Sequence, residues 1–183
     1  AGTIHRAWGP GIEMGNLGHI SDAEDAIRNF IQRNPELLFG AELGGLQIGK
    51  SGYDERSDTW YVEFDRTVNG VPVYRSTFTT RIKQGRLIMF GAQVFPDADS
   101  IATNPTISDL HAVEVAINDG PAPGALHLGA TAEPIILPFN EGRGVGFRLC
   151  WLVRTTTHSP VGQWVSFVDA HTGELVNVHD EVR

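Results

Sequence analysis

A glycine-rich segment carries residues that could hold a nucleotide phosphate. Residues 44–51 read Gly-Gly-Leu-Gln-Ile-Gly-Lys-Ser and satisfy the P-loop pattern G-x-x-x-x-G-K-[ST]. That chemistry needs backbone N–H groups leading from a buried strand into the N-terminus of a helix, where the phosphate is held. Residues 52–58 instead form an acidic turn that runs into a strand pattern. The Gly-x-Gly-x-Gly run at 142–146 also opens a strand pattern, so neither nucleotide nor dinucleotide binding is predicted.

The sequence contains individual residues that could take part in zinc-protease or nucleophilic chemistry, but no complete motif for either. His111 and Glu114 fall on a predicted helix, but Val115 stands where an inverted zinc motif needs its second histidine. The sequence contains no H-E-x-x-H and no G-x-S-x-G. Cys150, the only cysteine, lies in an alternating strand pattern, where a cysteine is more often a small apolar residue than a nucleophile. A nucleophile, a base and an orienting group do not occur together, so we predict no enzymatic activity.

The densest group of possible metal ligands lies near the C-terminus. It consists of Asp169, His171, His179, Asp180 and Glu181. The two histidines are eight residues apart and fall at opposite ends of the last predicted hairpin arm, so strand length separates them. We therefore predict polar turn residues here rather than a metal site of this chain.

The composition limits the class of protein and its partners. Of the 183 residues, 41% are hydrophobic and 20% charged, which is typical of a globular protein with a packed core. The net charge of −8 repels phosphate backbones, so a nucleic acid is not an expected partner. No stretch approaches about 18 consecutive apolar residues, so no membrane span is predicted. The residues alone indicate an acidic binding module.

The first half of the sequence predicts an irregular arm followed by a helix. Residues 1–20 contain five glycines and show no periodicity. Ser21 is predicted as the N-cap, with Glu24 completing a capping box, and Asn34-Pro35 ends the helix. The predicted apolar stripe of this helix is Ala23, Ala26, Ile27, Phe30 and Ile31.

Four strand patterns follow this helix. They lie near 43–49 and at 59–66, 71–82 and 86–95. Asn69-Gly70 separates the second and third and favours a type I′ turn, in which both central residues have positive φ. Gln84-Gly85 marks the next turn. These patterns predict an antiparallel meander.

The second half repeats this order. Ser108 is predicted to cap a helix whose apolar stripe is Leu110, Val113, Ala116 and Ile117. Strand patterns follow at 133–139, 145–156, 163–169 and 174–179. The duplication predicts an α+β fold of two lobes, each with one helix packed on an antiparallel β-sheet.

The predicted boundaries follow from these elements. The irregular arm occupies 1–20, the first lobe 21–95, and a polar, turn-rich linker 96–105. The second lobe, with a C-terminal tail, occupies 106–183.

Two stretches resemble a known family. Residues 61–74 carry Asn69, Gly70, Val71 and Pro72 between two strand patterns and resemble the fungalysin/thermolysin propeptide domain. Residues 147–154 and 164–175 closely resemble the end of a PepSY-type domain. The matching residues of the second stretch include Trp164, Asp169 and Gly173.

The resemblance covers roughly residues 20–180 and implies a function. It implies the propeptide of a secreted zinc metalloprotease, which acts as an intramolecular chaperone and keeps the protease an inhibited zymogen until it is cleaved. The implied partner is the catalytic domain of the cognate metalloprotease. That partner would carry zinc, and this chain would need no cofactor of its own. The implied location is extracellular or periplasmic.

The resemblance also implies which residues contact the protease. The segment leaving the last strand would enter the substrate cleft, since an extended chain can add backbone hydrogen bonds at a strand edge. It comprises Val176, Asn177, Val178, His179, Asp180 and Glu181. Imidazole and carboxylate groups are usual zinc ligands, so the last three residues are those that could approach the protease zinc.

A second interpretation stays open. PepSY-like sequences also imply a free-standing binding or inhibitory module of the cell envelope. The two interpretations share the fold and differ in the partner.

Overall fold

The computed structural model describes residues 6–38, 43–142, 144–159 and 161–181. Within these ranges the structure is α+β, with two α-helices and ten β-strands, so the predicted α+β class is confirmed, while the arrangement in two lobes stays a prediction. The contacts divide the chain into two compact units, Ala1–Asp99 and Ser100–Arg183. Residues 1–5 of the predicted arm and residues 182–183 of the predicted tail lie outside the described residues. Neither helix in the described ranges is long and apolar enough to cross a membrane.

The first unit contains one α-helix and six strands. They are β1 (Ala7–Glu13), α1 (Ile20–Arg33), β2 (Leu46–Ile48), β3 (Gly52–Asp54), β4 (Thr59–Val68), β5 (Val71–Lys83) and β6 (Arg86–Gln93). β1 pairs with β6, β6 with β5, and β5 with β4, while β2 and β3 both pair with β4. All of these pairings are antiparallel.

The N-terminal prediction is wrong in part, because residues 7–13 form β1 rather than an irregular arm. Ala7 pairs with Phe90 and Ile12 with Leu87, and the register shifts between Trp8 and Ile12. The Gly-Pro-Gly run at 9–11 occupies this irregularity and hides the alternation that would reveal a strand. Pairing with β6 supplies the order that the local sequence does not show.

The start of α1 also differs from the prediction. His19 rather than Ser21 is the N-cap, and the Asp22 carboxylate accepts hydrogen bonds from the backbone N–H of His19 at 2.8 Å and of Gly18 at 3.0 Å. Glu24 instead forms an ion pair with Arg28 at 2.9 Å. Acidic residues at 22 and 24 make two capping boxes possible in the sequence, and the structure uses the earlier one. α1 ends at Arg33, directly before Asn34-Pro35, as predicted.

α1 packs its apolar stripe on one face of the strands of the first unit. Ala23, Ile27 and Ile31 are fully buried, which confirms the predicted face. The buried strand residues of this core are Leu46, Val62, Phe64, Phe78, Ile82, Leu87 and Ala92. Full burial of a side chain of this size stabilises the fold by about 1.5–3 kcal/mol, so this core fixes which face of each strand meets the helix.

Two tight turns set the register of the meander. Asn69 and Gly70 have φ of 50° and 83°, and Gln84 and Gly85 have φ of 51° and 70°. Positive φ at both central residues is the geometry of a type I′ turn, which confirms both predicted turns.

The second unit contains one α-helix and four strands. They are α2 (Asp109–Asn118), β7 (His127–Glu141), β8 (Gly144–His158), β9 (Val161–Asp169) and β10 (Leu175–Asp180). Consecutive strands pair antiparallel in the order β7, β8, β9, β10. β7 begins earlier than predicted, because residues 127–132 are small or exposed and carry no alternating pattern, yet they pair with β8.

The cap of α2 is confirmed, and its buried face is the predicted one in part. The Ser108 hydroxyl accepts a hydrogen bond from the His111 N–H at 3.2 Å. Of the predicted stripe, Ala116 is buried and Val113 partly buried, whereas Leu110 is 72% exposed and Ala112 is buried in its place. The helix lies on the sheet mainly through its alanines, which allow close approach.

Replacing Asp22 with alanine tests the cap of α1. Asp22→Ala removes the acceptor of two backbone N–H groups, so we expect a loss of about 1 kcal/mol in the free energy of unfolding, measured by urea denaturation. Asp25→Ala is the matched control, because Asp25 is an exposed acid on the same helix beyond its first turn. Equal stability of the two variants would contradict the assignment of Asp22 as the capping residue.

Candidate functional site

The P-loop-like segment has a structural explanation. It runs from a 3-10 turn, Leu43–Gly45, through β2 and into β3, so a strand and not a helix follows it. A Cβ at Gly45 would overlap the buried Arg66 guanidinium, and one at Gly49 would lie 2.7 Å from an Asp65 carboxylate oxygen. Packing therefore requires glycine at position 45, and the segment lacks the helix N-terminus that holds a phosphate.

His111, Glu114 and Cys150, the isolated candidates for catalysis, lie in the predicted helix and strand. His111 Nδ1 lies 3.6 Å from Glu114 Oε2, and both side chains are exposed on α2. Cys150 is fully buried in β8, where burial and then the nearby Asp169 raise the pKa of its thiol to about 12. The thiol thus stays protonated near neutral pH. The described residues include no group of three or more histidine, cysteine, aspartate or glutamate side chains that could hold a metal ion.

The propeptide-like signature in the first unit forms the hairpin between β4 and β5. Asn69 and Gly70 are its turn, and Val71, which is buried, pairs with Val68. Pro72 pairs with Thr67 and is exposed. These positions hold the hairpin together.

The PepSY-like signature in the second unit forms the turn that leads β9 into β10. One Asp169 carboxylate oxygen accepts hydrogen bonds from the N–H groups of His171 and Thr172, both at 2.8 Å. Gly173 has a φ of 76° and donates its N–H to the Asp169 carbonyl at 2.9 Å. Asp169 therefore closes the turn and sets where β10 begins.

The environment of Asp169 favours the carboxylate form. Burial alone would raise its pKa, but the N–H groups of Thr172 and His171, the Thr172 side chain and the Arg148 guanidinium together lower the pKa below its ordinary value. Arg148 Nε lies 3.5 Å from Asp169 Oδ2. The charged carboxylate is thus part of the folded structure.

The predicted protease-contacting residues lie in β10 rather than in a free tail. Asn177 pairs with Phe167 and His179 with Val165, and the Glu181 N–H donates to the Gln163 carbonyl at 2.8 Å. Val176 has no partner in this register and forms a bulge. The predicted strand at 174–179 is therefore confirmed as β10, and the segment 176–181, which was expected to leave this strand, stays paired with β9 as far as Glu181.

The alternation of hydrogen bonds shows which backbone groups of β10 face away from β9. In an antiparallel ladder, hydrogen-bonded pairs alternate with non-hydrogen-bonded pairs. Since Glu181 is hydrogen-bonded to Gln163, His179 and Asn177 also face β9, and Val178 and Asp180 direct their N–H and C=O groups to the other side. Among the described strands β10 pairs with β9 alone, so these groups form a sheet edge. We call Leu175–Asp180 with Glu181 the β10 edge.

Side chains around the β10 edge are held by local contacts. The His179 ring lies 5.8 Å from the Phe167 ring, and Trp164, opposite Asp180, donates its indole N–H to Thr157 Oγ1 at 3.4 Å. His171 lies at the other end of β10, with Nδ1 3.5 Å from Thr106 Oγ1. The structure therefore keeps the two histidines apart, as the strand length predicts.

A charged network beside this edge was missed by the sequence analysis. Arg154 donates to Glu133 at 2.5 Å, and its Nε lies 3.6 Å from Glu181 Oε1. The signal was the arginine on the alternating strand β8, whose neighbours across the sheet could not be named before the register was known. The network anchors Glu181 directly after β10.

Comparison with solved structures gives a likeness in fold at low sequence identity. No family model matches the chain. Among solved structures, the chain is similar to the Bacillus megaterium YpeB C-terminal domain, with a TM-score of 0.44 and 17% sequence identity, covering 93% of this chain and 68% of that chain. A likeness of this size decides neither family nor function. The resemblance to the propeptide domain stays a prediction.

Replacing Asp169 tests the turn that positions the β10 edge. Asp169→Ala leaves two backbone N–H groups without their acceptor, so we expect a loss of about 1–3 kcal/mol in the free energy of unfolding at pH 7. Glu174→Ala is the control, because Glu174 is an exposed acid in the same turn, 3.6 Å from Arg148, and should change stability little.

The same variant predicts a pH dependence. Because the folded-state pKa of Asp169 is lowered, its stabilisation is complete above the ordinary aspartate pKa of 3.8 and is lost as the pH falls through the folded-state value. The stability difference between wild type and Asp169→Ala should therefore be constant from pH 7 to about 5 and shrink in more acidic buffers. A difference that grows on acidification would show that the carboxylate is not stabilised by folding.

Proposed function

We propose that this chain is the propeptide of a secreted zinc metalloprotease of the thermolysin or fungalysin type, assisting folding of the protease and inhibiting it until cleavage. The observation that supports the proposal is the β10 edge, where the backbone groups of Val178 and Asp180 face away from β9. An extended segment of a partner can pair there by strand addition. In this proposal the chain is non-catalytic and the partner carries the zinc.

The inhibited complex would use both halves of the chain. We propose that 21–95 and 106–183 act as two lobes joined by the linker 96–105, with the catalytic domain bound against the β10 edge. Pairing with strand residues of the protease cleft would occlude the position of an extended substrate. The complex would form outside the cytoplasm, in the periplasm or the extracellular space.

The residues at the end of β10 would lie nearest the protease zinc. His179, Asp180 and Glu181 carry imidazole and carboxylate groups, which are usual zinc ligands. Asp180 and Glu181 are exposed. A carboxylate directed at the zinc would displace the metal-bound water that hydrolysis requires.

The function test must spare the ladder between β9 and β10. Deleting 177–183 removes the residues that pair with β9, so loss of inhibition could reflect loss of structure. Val178→Pro is sharper, since the Val178 N–H does not donate to β9, and proline removes that donor while its ring obstructs an added strand. Val178→Ala is the matched control, because it loses the same apolar packing and keeps the N–H.

We expect the full chain to inhibit a mature protease of this class. Peptide cleavage by thermolysin and by a fungalysin would be measured at increasing concentrations of the chain, with subtilisin as an unrelated protease. Val178→Pro should raise the inhibition constant more than about tenfold over Val178→Ala, or about 1.4 kcal/mol in binding. Thermal melts check that both variants stay folded.

The outcomes test the proposed inhibitory contact and the proposed propeptide function separately. If both variants inhibit equally, the β10 edge is not the inhibitory contact, and the propeptide proposal survives without it. If the wild-type chain inhibits neither metalloprotease, the proposal is wrong. The free-standing envelope module would then be the better interpretation.

A further inference from the structure

The face of the first unit opposite α1 carries a row of large side chains. Val62 and Phe64 point to α1, so the alternating residues of β4 point to the opposite face. In register across four strands, Tyr61 pairs with Arg81, Arg81 with Met89, and Met89 with Trp8. The row crosses three strand spacings, or roughly 14 Å.

A groove next to this row is basic, although the protein is acidic. The groove has a volume of about 210 Å³. Arg6, Lys50 and Arg81 line it, with Glu63 as its single acid. The chain as a whole carries 22 acidic and 14 basic residues, so this excess of cations runs against the overall charge. Within the described residues, none of the three cations lies within 4.0 Å of a carboxylate.

Contacts with two aromatic rings orient the Arg81 guanidinium, which could bind a planar anion such as a carboxylate. Its guanidinium lies 5.7 Å from the Trp8 ring centroid and 5.4 Å from the Tyr61 ring centroid. Tyr61 lines the groove, and Trp8 lies beside it through its contact with Arg81. Trp8 is 61% and Tyr61 40% exposed, so both rings remain open to solvent. Contact with two rings restricts the guanidinium before a ligand arrives, and a guanidinium presents paired N–H donors that match a carboxylate.

The surroundings of Glu63, the acid in the groove, change its pKa. Burial and the neighbouring Asp65 raise the pKa of Glu63, while Lys50 opposes them. Lys50 thus acts on Glu63 electrostatically without an ion pair. Its ammonium group, on an exposed side chain, remains open to another carboxylate.

We propose that this surface, the basic groove formed by Arg6, Lys50 and Arg81 with Trp8 and Tyr61, binds a short acidic peptide segment of a partner protein. Carboxylates of the segment meet the cations, and its apolar side chains lie on Trp8. A row of roughly 14 Å matches about four residues of extended peptide, whereas a small inorganic anion would occupy one cation alone. A nucleic acid would extend beyond the groove onto the acidic remainder of the protein, where the net charge of −8 repels it, whereas a short peptide stays within the basic groove.

This inference stands apart from the proposed inhibition, which uses the β10 edge of the second unit. Binding at the basic groove would be measured by fluorescence anisotropy on the full chain. The probe is a labelled hexapeptide of alternating glutamate and phenylalanine, and its counterpart with glutamine in place of glutamate is the neutral control. The assay contains no protease, so its result does not depend on the proposed inhibition.

Variants that remove a positive charge from the groove and a variant that removes its negative charge should change binding in opposite directions. Arg81→Gln and Lys50→Gln should each weaken binding about threefold to tenfold, and Glu63→Gln should tighten it by about twofold to fivefold. Arg33→Gln, which removes a cation from the last turn of α1, should bind as wild type. Raising the salt from about 0.05 M to 0.5 M should weaken binding of the glutamate peptide. Lys50 is exposed outside any strand, so Lys50→Gln keeps the test valid if Arg81→Gln unfolds.

Several results would overturn the proposal. These are equal binding of the glutamine peptide, wild-type binding by Lys50→Gln, and no saturable binding up to about 1 mM. Tighter binding of a single-stranded DNA hexamer than of the glutamate peptide would also overturn it, because the groove would then be a nucleic-acid site.

Discussion

The structure depends on the register of its antiparallel strands. Because successive side chains of a strand face opposite sides, a slip of one residue would exchange the two faces. In the first unit, the turn at Asn69-Gly70 pairs Val68 with Val71, and the register then shifts between Asp65 and Thr67. Beyond this shift Phe64 meets α1, while Tyr61 and Arg81 lie on the opposite face. In the second unit, the Asp169 turn starts β10, and a shift at Val176 sets the pairing beyond it. The core and both proposed surfaces therefore follow from turns and register shifts together.

The elements predicted from the sequence are those encoded by neighbouring residues. The positive-φ turns, the Ser108 cap and the end of α1 before Pro35 each depend on a few adjacent positions, and each is confirmed. β1 was missed because this strand depends on pairing with β6, about 75 positions along the chain. The Gly-Pro-Gly run within β1 also hides the alternation of its side chains. The predicted face of α2 was right at Ala116 and wrong at Leu110, because contact with the sheet buries Ala112 whereas local hydrophobicity favours Leu110.

The candidate surfaces were predictable to different degrees. Residues 176–181 could be named from the sequence only through the family resemblance, which implies that the segment leaving the last strand contacts a protease. Their role in an edge could not, because the direction of each N–H depends on the hydrogen bond between Glu181 and Gln163. The basic groove was not visible at all. Its side chains come from separate segments, and only the registers of β4, β5, β6 and β1 bring Tyr61, Arg81 and Trp8 into one row.

The β10 edge is already partly satisfied, and this constrains how a partner could use it. The outward N–H of Val178 donates to the side-chain oxygen of Asn177 at 2.8 Å, so the donor is not empty in the folded chain. Such protection keeps an exposed edge from pairing indiscriminately with other chains. A partner strand must replace this bond with one of its own, and the exchange contributes little net free energy. Binding at this edge must therefore depend mainly on the close approach of an added strand along β10, which the ring of a proline at position 178 would obstruct.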